Sequence, residues 1–234
     1  MRIADGTIEG EFLRRANRFR AEVRAGERTL GVHVANSGRL RELLCPGNRV
    51  VLLPAGKVGR KTSHDLLLAR RPDGRGWVCM DARVPNRLVK DALEAGRLPG
   101  FAGYAQVTPE RRIPGGRIDF CLTGKDLPPL WVETKSVTLV ADGVAMFPDA
   151  PTLRGARHLR HLAEHASSGG RAAVLFIVLR SDARRFRPHD ENDPAFGRAL
   201  REAVSAGVKA QALRCRVTRR EVQILDPIPV LLRD

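Results

Sequence analysis

Two neighbouring stretches decide the fold of the C-terminal half: RIDFCLT at residues 117–123 and WVETKSV at residues 131–137. Apolar and polar residues alternate in both, which is the pattern of half-buried β-strands. The second strand is expected to begin at Leu130, so the six residues 124–129 would form the connection of an antiparallel hairpin. Because Glu133 and Lys135 lie two positions apart, they are expected to share one face of their strand.

The register of this hairpin brings a second carboxylate to the pair. If the hairpin is symmetric about its connection, Asp119 lies opposite Thr134 and therefore between Glu133 and Lys135. Asp119 would face away from its apolar neighbours on the same strand. A register that slips by one residue is the alternative. The pattern thus predicts a cluster of two carboxylates and one lysine.

Such a cluster is costly to hold unless a further charge balances it. Mg²⁺ or Mn²⁺ would do so, since hard divalent cations bind carboxylate and carbonyl oxygens together with phosphate and water. Asp119 and Glu133 would bind the ion with help from the Thr134 carbonyl. Lys135 would orient the attacking water and offset charge in the transition state. The alternative is a solvated strand face on which Glu133 and Lys135 simply pair.

The remainder of the C-terminal half alternates predicted helices with strands. We expect helices at residues 86–95, 152–166 and 194–205 and strands at residues 172–179, 208–217 and 221–225. Asp193 and Pro194 fit the N-cap and first turn of the last helix. A helix that joins two such strands indicates a right-handed crossover between parallel strands. Residues 85–234 are therefore predicted to form an α/β domain.

The first third of the chain is predicted to be a small all-β domain, residues 1–84. Its candidate strands are residues 19–24, 29–35, 49–53, 65–70 and 77–81, separated by turn residues. A short helix is expected at residues 36–44, with Leu40, Leu43 and Leu44 on one side. Five short strands with little helix favour a closed barrel of the OB type. An SH3-like barrel would fit the same pattern.

Composition narrows the class of partner. The chain has 41 Lys and Arg against 26 Asp and Glu, a net charge of +15. Such an excess favours nucleic acid, because neutralising phosphates releases condensed counterions. A basic scaffold that binds no nucleic acid is the alternative.

The four cysteines have no CxxC spacing, which argues against a zinc ribbon. No signal-peptide or membrane-length apolar run is present, so we expect a cytoplasmic protein without a membrane partner; a homo-oligomer is compatible with the sequence.

Candidate DNA contacts fall into two groups. On the helix at residues 152–166, one side is apolar and the other basic, with Arg154, Arg157, His158 and His161. The first domain contributes Arg14, Arg15, Arg18, Arg20, Arg39, Arg60 and Lys61. Aromatic residues for base stacking are few beyond Phe12, Phe19 and Trp77, and Phe19 is expected in the core. We therefore expect contact with the phosphate backbone and weak sequence specificity.

Several runs together resemble one known family. They are RIDF at residues 117–120, VETKSVTL at 132–139, FPDAPT at 147–152 with Arg154-Gly155 and His158-Leu159, and the shorter pieces Asn36-Ser-Gly38, Pro46-Gly47 and Asn86-Arg87. This pattern resembles the sugar fermentation stimulation protein A (SfsA) family along nearly the whole chain.

The resemblance implies an α/β protein in which a small OB-like barrel precedes an α/β restriction-endonuclease-like domain of the PD-(D/E)xK type. Asp119, Glu133 and Lys135 fall on the nuclease motif, with Ile118 in place of its proline. The resemblance also implies DNA binding and a link to regulation of sugar-utilisation genes. Two functions stay open: a Mg²⁺- or Mn²⁺-dependent nuclease, and a DNA-binding regulator that does not cleave.

Overall fold

The computed structural model describes residues 1–56, 59–113 and 116–232. Its N-terminal unit is built from β1 (Ile8–Asn17), β2 (Arg20–Ala25), β3 (Arg28–His33), β4 (Arg49–Pro54), β5 (His64–Arg70) and β6 (Trp77–Cys79). The strands are ordered β3-β2-β1-β4-β5-β6, and pairing between β3 and β5 closes a five-stranded barrel. The predicted OB-like barrel is confirmed, although its first strand, β1, was not predicted.

The helix expected at residues 36–44 was wrong. The segment is a turn, in which Leu40 has a φ of 55° and so cannot continue a helix. The backbone N–H of Leu40 donates to Asp149 Oδ2 at 2.6 Å, a bond to the C-terminal unit that draws the turn out of helical geometry. Leu40, Leu43 and Leu44 are nevertheless buried, so the apolar side was correctly identified.

The C-terminal unit contains α1 (Val84–Glu94), β7 (Gln106–Ile113), β8 (Gly116–Gly124), β9 (Leu127–Val137), β10 (Val140–Ala141), β11 (Val144–Phe147), α2 (Leu153–Ser167), β12 (Arg171–Val178), β13 (Arg185–Pro188), α3 (Pro194–Ser205), β14 (Lys209–Val217) and β15 (Val222–Ile228). Its main sheet is ordered β15-β14-β12-β9-β8-β7, and β9, β12 and β14 are parallel. The predicted α/β architecture is confirmed. Strands β7, β10, β11 and β13 were not predicted.

One carboxylate stabilises the N-terminal turns of both α2 and α3. Thr152 caps α2 by accepting a bond from Gly155 N at 2.9 Å. Asp193 caps α3 through Oδ1, which accepts from Phe196 N at 3.0 Å. The Oδ2 of Asp193 also accepts from Thr152 N at 2.8 Å. The predicted N-cap is confirmed, and it links the starts of α2 and α3.

The two units share a hydrophobic core. One buried apolar cluster contains the apolar side of α1, barrel residues such as Leu67 and Trp77, and Leu175 and Leu179 at β12. A backbone bond from Cys79 N to Leu179 O, 3.0 Å long, continues this contact. Within the described ranges, no helix combines the length and apolarity that crossing a membrane requires.

Candidate metal and nucleic-acid site

A cleft of 640 Å³ lies where the barrel meets the C-terminal sheet. It is walled by residues 36–38 of the barrel, the first turn of α1, parts of β8 and β9, and the segment that leads into α2. All four residues predicted to form the metal and catalytic group line it: Asp119, Glu133, Thr134 and Lys135. Tertiary folding therefore brings the predicted cluster into one concave site.

Asp119 is oriented from two directions. Its Oδ1 accepts a hydrogen bond from Asn86 Nδ2 on α1 at 3.0 Å. Its Oδ2 lies 2.8 Å from both the backbone nitrogen and the hydroxyl of Thr134. The Thr134 hydroxyl also contacts Asn86 Oδ1, and its one proton can serve only one of these acceptors at a time. Together these contacts fix the carboxylate at the wall of the cleft.

Glu133 has one bonded and one unbonded carboxylate oxygen. Its Oε1 accepts from Lys135 Nζ at 2.6 Å and lies 2.5 Å from His158 Nδ1 on α2. Its Oε2 is buried and has no hydrogen-bond partner within the described part of the chain. A buried carboxylate oxygen without a partner is costly. A cation bound at this oxygen would remove that cost, so Glu133 fits the role of a metal ligand.

The electrostatics of Glu133 agree with that role. Burial acts to raise the pKa of Glu133, but Lys135 and His158 outweigh it and leave the pKa below its ordinary value. Glu133 is therefore ionised at neutral pH. No three His, Cys, Asp or Glu side chains converge among the residues that the structure describes. Two carboxylates and a backbone oxygen suit Mg²⁺ or Mn²⁺, which keep water and substrate oxygens as further ligands.

The symmetric hairpin register was wrong by one residue. The observed pairs include Phe120 with Val132, so continuing this register sets Asp119 opposite position 133 rather than 134. The cause is a register shift between Leu122 and Gly124, together with a turn much tighter than the expected six-residue connection. Asp119 still reaches Thr134, whose backbone nitrogen donates to Asp119 Oδ2.

The alternation along β8 also breaks at Asp119. Ile118 packs in the core on the α2 side of the sheet, whereas Phe120 packs in the core on the α1 side. The expectation that both lie on one face, opposite Asp119, was therefore wrong. The positive φ of Glu110 on the paired strand, 54°, marks the same irregularity. This local twist is what turns Asp119 toward α1 and the cleft.

The candidate DNA contacts divide among the site cleft, its neighbours and the outer surface. Arg18, Arg154 and His158 line the site cleft. Arg15 and Arg39 line a narrow adjoining cleft, also with Arg18. Arg20, Arg60 and Lys61 line a larger cleft on the barrel side. On the outer surface, Arg157 is exposed, Arg14 is exposed and pairs with Glu22, and His161 is half-buried near Gly116.

Two of these arginines already bind partners in the protein. The Arg15 guanidinium donates to four backbone carbonyls, those of Arg18, Asn36, Gly38 and Arg39. Burial lowers the pKa of Arg15 from its ordinary value. Arg60 pairs with Asp65 at 2.5 Å. Arg15 therefore shapes the loop beside the cleft, and Arg60 is partly neutralised.

Two residues that contribute to the site could not be assigned to it from sequence spacing. Asn86, which holds Asp119, lies 33 positions away from it. His158 was expected to contact DNA, yet its ring lies on Glu133, 25 positions away. Only the packing of α1 and α2 against the hairpin creates these contacts. The family resemblance includes both residues but assigned neither of them to the metal site.

Comparison with known proteins identifies the family. The model described as "SfsA N-terminal OB domain" matches residues 13–80, and "Sugar fermentation stimulation protein RE domain" matches residues 83–221. A sugar fermentation stimulation protein homolog of Symbiobacterium thermophilum is 47% identical, covering 98% of this chain and 97% of that protein. Its counterpart in Moorella thermoacetica is 46% identical, covering 96% and 97%.

A solved structure resembles the whole chain. It is SfsA of Pyrococcus furiosus in complex with Ca²⁺, with a TM-score of 0.90 and 31% identity, and the match covers 99% of this chain and 98% of that one. The matches in sequence and in structure agree with each other over both units. This chain belongs to the sugar fermentation stimulation protein (SfsA) family.

Proposed function

We propose that this chain is a DNA-binding protein with a Mg²⁺- or Mn²⁺-dependent phosphodiesterase site, a nuclease site, in the cleft between its two units. The observation that carries the proposal is the buried Oε2 of Glu133, which has no partner in the described chain and lies in the same cleft as Asp119 and Lys135. Paired carboxylates beside a lysine match the needs of metal-assisted phosphodiester hydrolysis.

Each side chain has a distinct role in this proposal. Asp119, Glu133 and the Thr134 carbonyl would hold the ion, which when bound supplies Lewis acidity toward the phosphate and a more acidic water. Lys135, anchored 2.6 Å from Glu133, would orient the attacking water and offset charge that develops on the phosphate. His158 contacts the same oxygen of Glu133 and is a positioning residue.

Binding of DNA is supported by charge and by the setting of the site. The net charge is +15, and Arg18 and Arg154 line the same cleft as the carboxylates. These side chains would contact phosphate groups, which carry no base identity, so we expect weak sequence preference. The Ca²⁺ bound by the Pyrococcus furiosus relative supports an oxygen-ligand site for a hard divalent cation in this family.

The test compares the wild-type chain with Glu133→Gln on single-stranded and duplex DNA, with Mg²⁺ or Mn²⁺. Loss of a metal ligand should exceed the loss typical of an outer-shell partner, so we expect cleavage to fall by at least about 100-fold. Mn²⁺ binding, followed by calorimetry, should weaken in parallel. Glu164→Gln makes the same chemical change on the exposed side of α2 and should alter neither quantity.

The outcomes separate the two candidate functions. Cleavage that persists in Glu133→Gln, with normal folding, rules out this site. If the wild type binds DNA with EDTA present but cuts no substrate with either metal, the chain is a DNA-binding regulator whose nuclease-like site is unused. Thermal unfolding of each variant shows whether a loss of cleavage reflects chemistry or folding.

A further inference from the structure

A second cleft, 1320 Å³ in volume, opens on the barrel side next to the candidate site. The turn between β1 and β2, the segment after β4 and the start of α1 bound it. Two of its three acidic residues are already bound to arginines, Asp65 to Arg60 and Arg83 and Asp81 to Arg83, and the third is the exposed Asp91. Among the described residues, seven Arg and Lys side chains line the cleft against these three Asp, so its wall carries a net positive charge.

Several of those cations are available to a ligand. Arg20, Lys61 and Arg87 line the cleft, and none has a carboxylate within ion-pair distance among the described residues. On the outer side of the barrel, by contrast, Arg14 pairs with Glu22. These three side chains thus offer positive charge that no ion pair within the described chain neutralises, as a polyanion-binding groove requires.

Phe19 presents an aromatic ring in the same cleft. The ring was expected in the core, but the residue is 48% exposed. Its backbone is fixed: the nitrogen donates to Asn17 Oδ1 at 2.9 Å, and the carbonyl accepts from Val34 N at 2.9 Å. The ring of His33 lies 6.5 Å from it, centroid to centroid. A rigidly held backbone with an open ring is a preformed stacking surface.

The other aromatic candidates for stacking are closed off. Phe12 is 1% exposed and Trp77 is 8% exposed, both inside the core. Trp131 is half-buried, and its ring already stacks on His165 at 3.6 Å. Among the large apolar side chains that the structure shows as exposed, Phe19 is the aromatic one. Phe19 is therefore the aromatic side chain most open to a base among the described residues.

The large cleft and the site cleft are lined by neighbouring residues at two places. Asn17 lines both the large cleft and the narrow one, and the next residue, Arg18, lines both the narrow cleft and the site cleft. On α1, Asn86 lines the site cleft and its neighbour Arg87 lines the large cleft. A strand whose base rests on Phe19 therefore has a cationic route toward Asp119.

We propose that the DNA received by this groove is single-stranded, with an unpaired base stacked on Phe19 and adjacent phosphates held by Arg20, Lys61 and Arg87. A base in a duplex is covered on both faces, so it cannot stack on this ring without leaving the helix. The entry of the strand into the catalytic cleft rests on the proposed function, whereas the binding step does not.

The test measures binding of the full chain in EDTA, so that no DNA is cut, by fluorescence anisotropy. The probes are a labelled oligothymidine and a blunt duplex of the same length. Phe19→Ala should weaken binding of the single strand roughly 5- to 100-fold and of the duplex less than about 2-fold. Phe19→Trp should retain the affinity. Leu225→Ala truncates an exposed apolar side chain on β15 and should change neither.

Phe19→Trp also gives a direct readout of stacking. Its added fluorescence should be quenched by oligothymidine beyond any change in the wild type. Equal losses on both probes in Phe19→Ala, or no loss, would overturn the inference and leave the nuclease proposal standing. If the wild type binds no DNA at low salt, both proposals fail. If Phe19→Ala behaves as expected while no metal supports cleavage, the nuclease proposal alone fails.

Discussion

Asp65 shows how single residues hold the junction beside the groove. Its side chain is buried, and its two oxygens pair with Arg60 at 2.5 Å and with Arg83 at 2.8 Å. Burial acts to raise the pKa of Asp65, but the two arginines outweigh it and lower the pKa below its ordinary value. Asp81 also binds Arg83, so the acidic and basic groups form one network.

This arrangement predicts a pH-dependent stability. Because the pKa is lower in the folded chain, the stabilisation is present above the unfolded pKa of about 3.9 and is lost as pH falls through the folded value. Asp65→Asn should lower the free energy of unfolding by roughly 1–3 kcal/mol at neutral pH, a range that allows for the solvent exposure of Arg83. Urea titrations between pH 7 and 3 measure the difference.

The difference between the wild type and Asp65→Asn should shrink in the acid range. The exposed Glu27→Gln serves as control and should leave stability nearly unchanged at every pH. A constant difference across the whole range would contradict the assignment of the effect to the Asp65 carboxylate.

At the scale of single residues, the position of a side chain could be predicted where apolar and polar residues alternate along a strand. The positions of Glu133 and Lys135 on one face follow from strand alternation, and the structure joins them by a salt bridge. The exposure of Phe19 could not be predicted in this way, because an apolar residue in a turn belongs to no periodic pattern that shows whether it faces the core or the solvent. Its exposure is decided by the backbone bonds of the β1–β2 turn.

At the scale of elements, the three observed helices were predicted, whereas the helix expected at residues 36–44 was wrong and several strands were missed. The three helices carry periodic apolar faces and recognisable start signals such as Asp193-Pro194. Strand β1 buries one residue fully, Phe12, and so lacks a clear alternation. Strand β7 contains Pro109 and is mostly exposed, which suits an edge strand but hides it from pattern analysis.

The shared cap of α2 and α3 predicts an element-scale effect. Asp193→Ala removes an acceptor for Phe196 N and another for Thr152 N, so we expect the free energy of unfolding to fall by roughly 1–3 kcal/mol. Chemical denaturation followed by circular dichroism measures it. Asp226→Ala breaks an exposed pair with Arg214 and should cost less than about 1 kcal/mol. Equal losses in the two variants would argue against the shared cap.

At the scale of the whole molecule, part of the basic excess lines neighbouring clefts. Among the cations that line them without a carboxylate partner in the described chain are Arg18, Arg20, Lys61 and Arg87. If each neutralises one phosphate of a single strand, the logarithm of the affinity should fall against the logarithm of salt concentration with a slope of roughly −3.

Replacing one of these cations tests the arrangement. Arg87→Gln should make the slope shallower by about 0.7, since one fewer counterion is released on binding. Arg14→Gln removes an arginine already bound to Glu22 and should change the slope less. Anisotropy titrations at several salt concentrations measure both slopes. An affinity that does not respond to salt would contradict phosphate contact.

The sequence by itself determined the α/β class, the barrel, the three observed helices, and the pairing of Glu133 with Lys135 on one strand face. Each of these follows from short-range periodicity and turn chemistry. Only the tertiary structure decided the hairpin register, the contacts of Asn86 and His158 with the carboxylates, and the exposure of Phe19 beside the cations. These depend on a β-bulge and on packing between segments far apart in the chain, where no local pattern constrains the geometry.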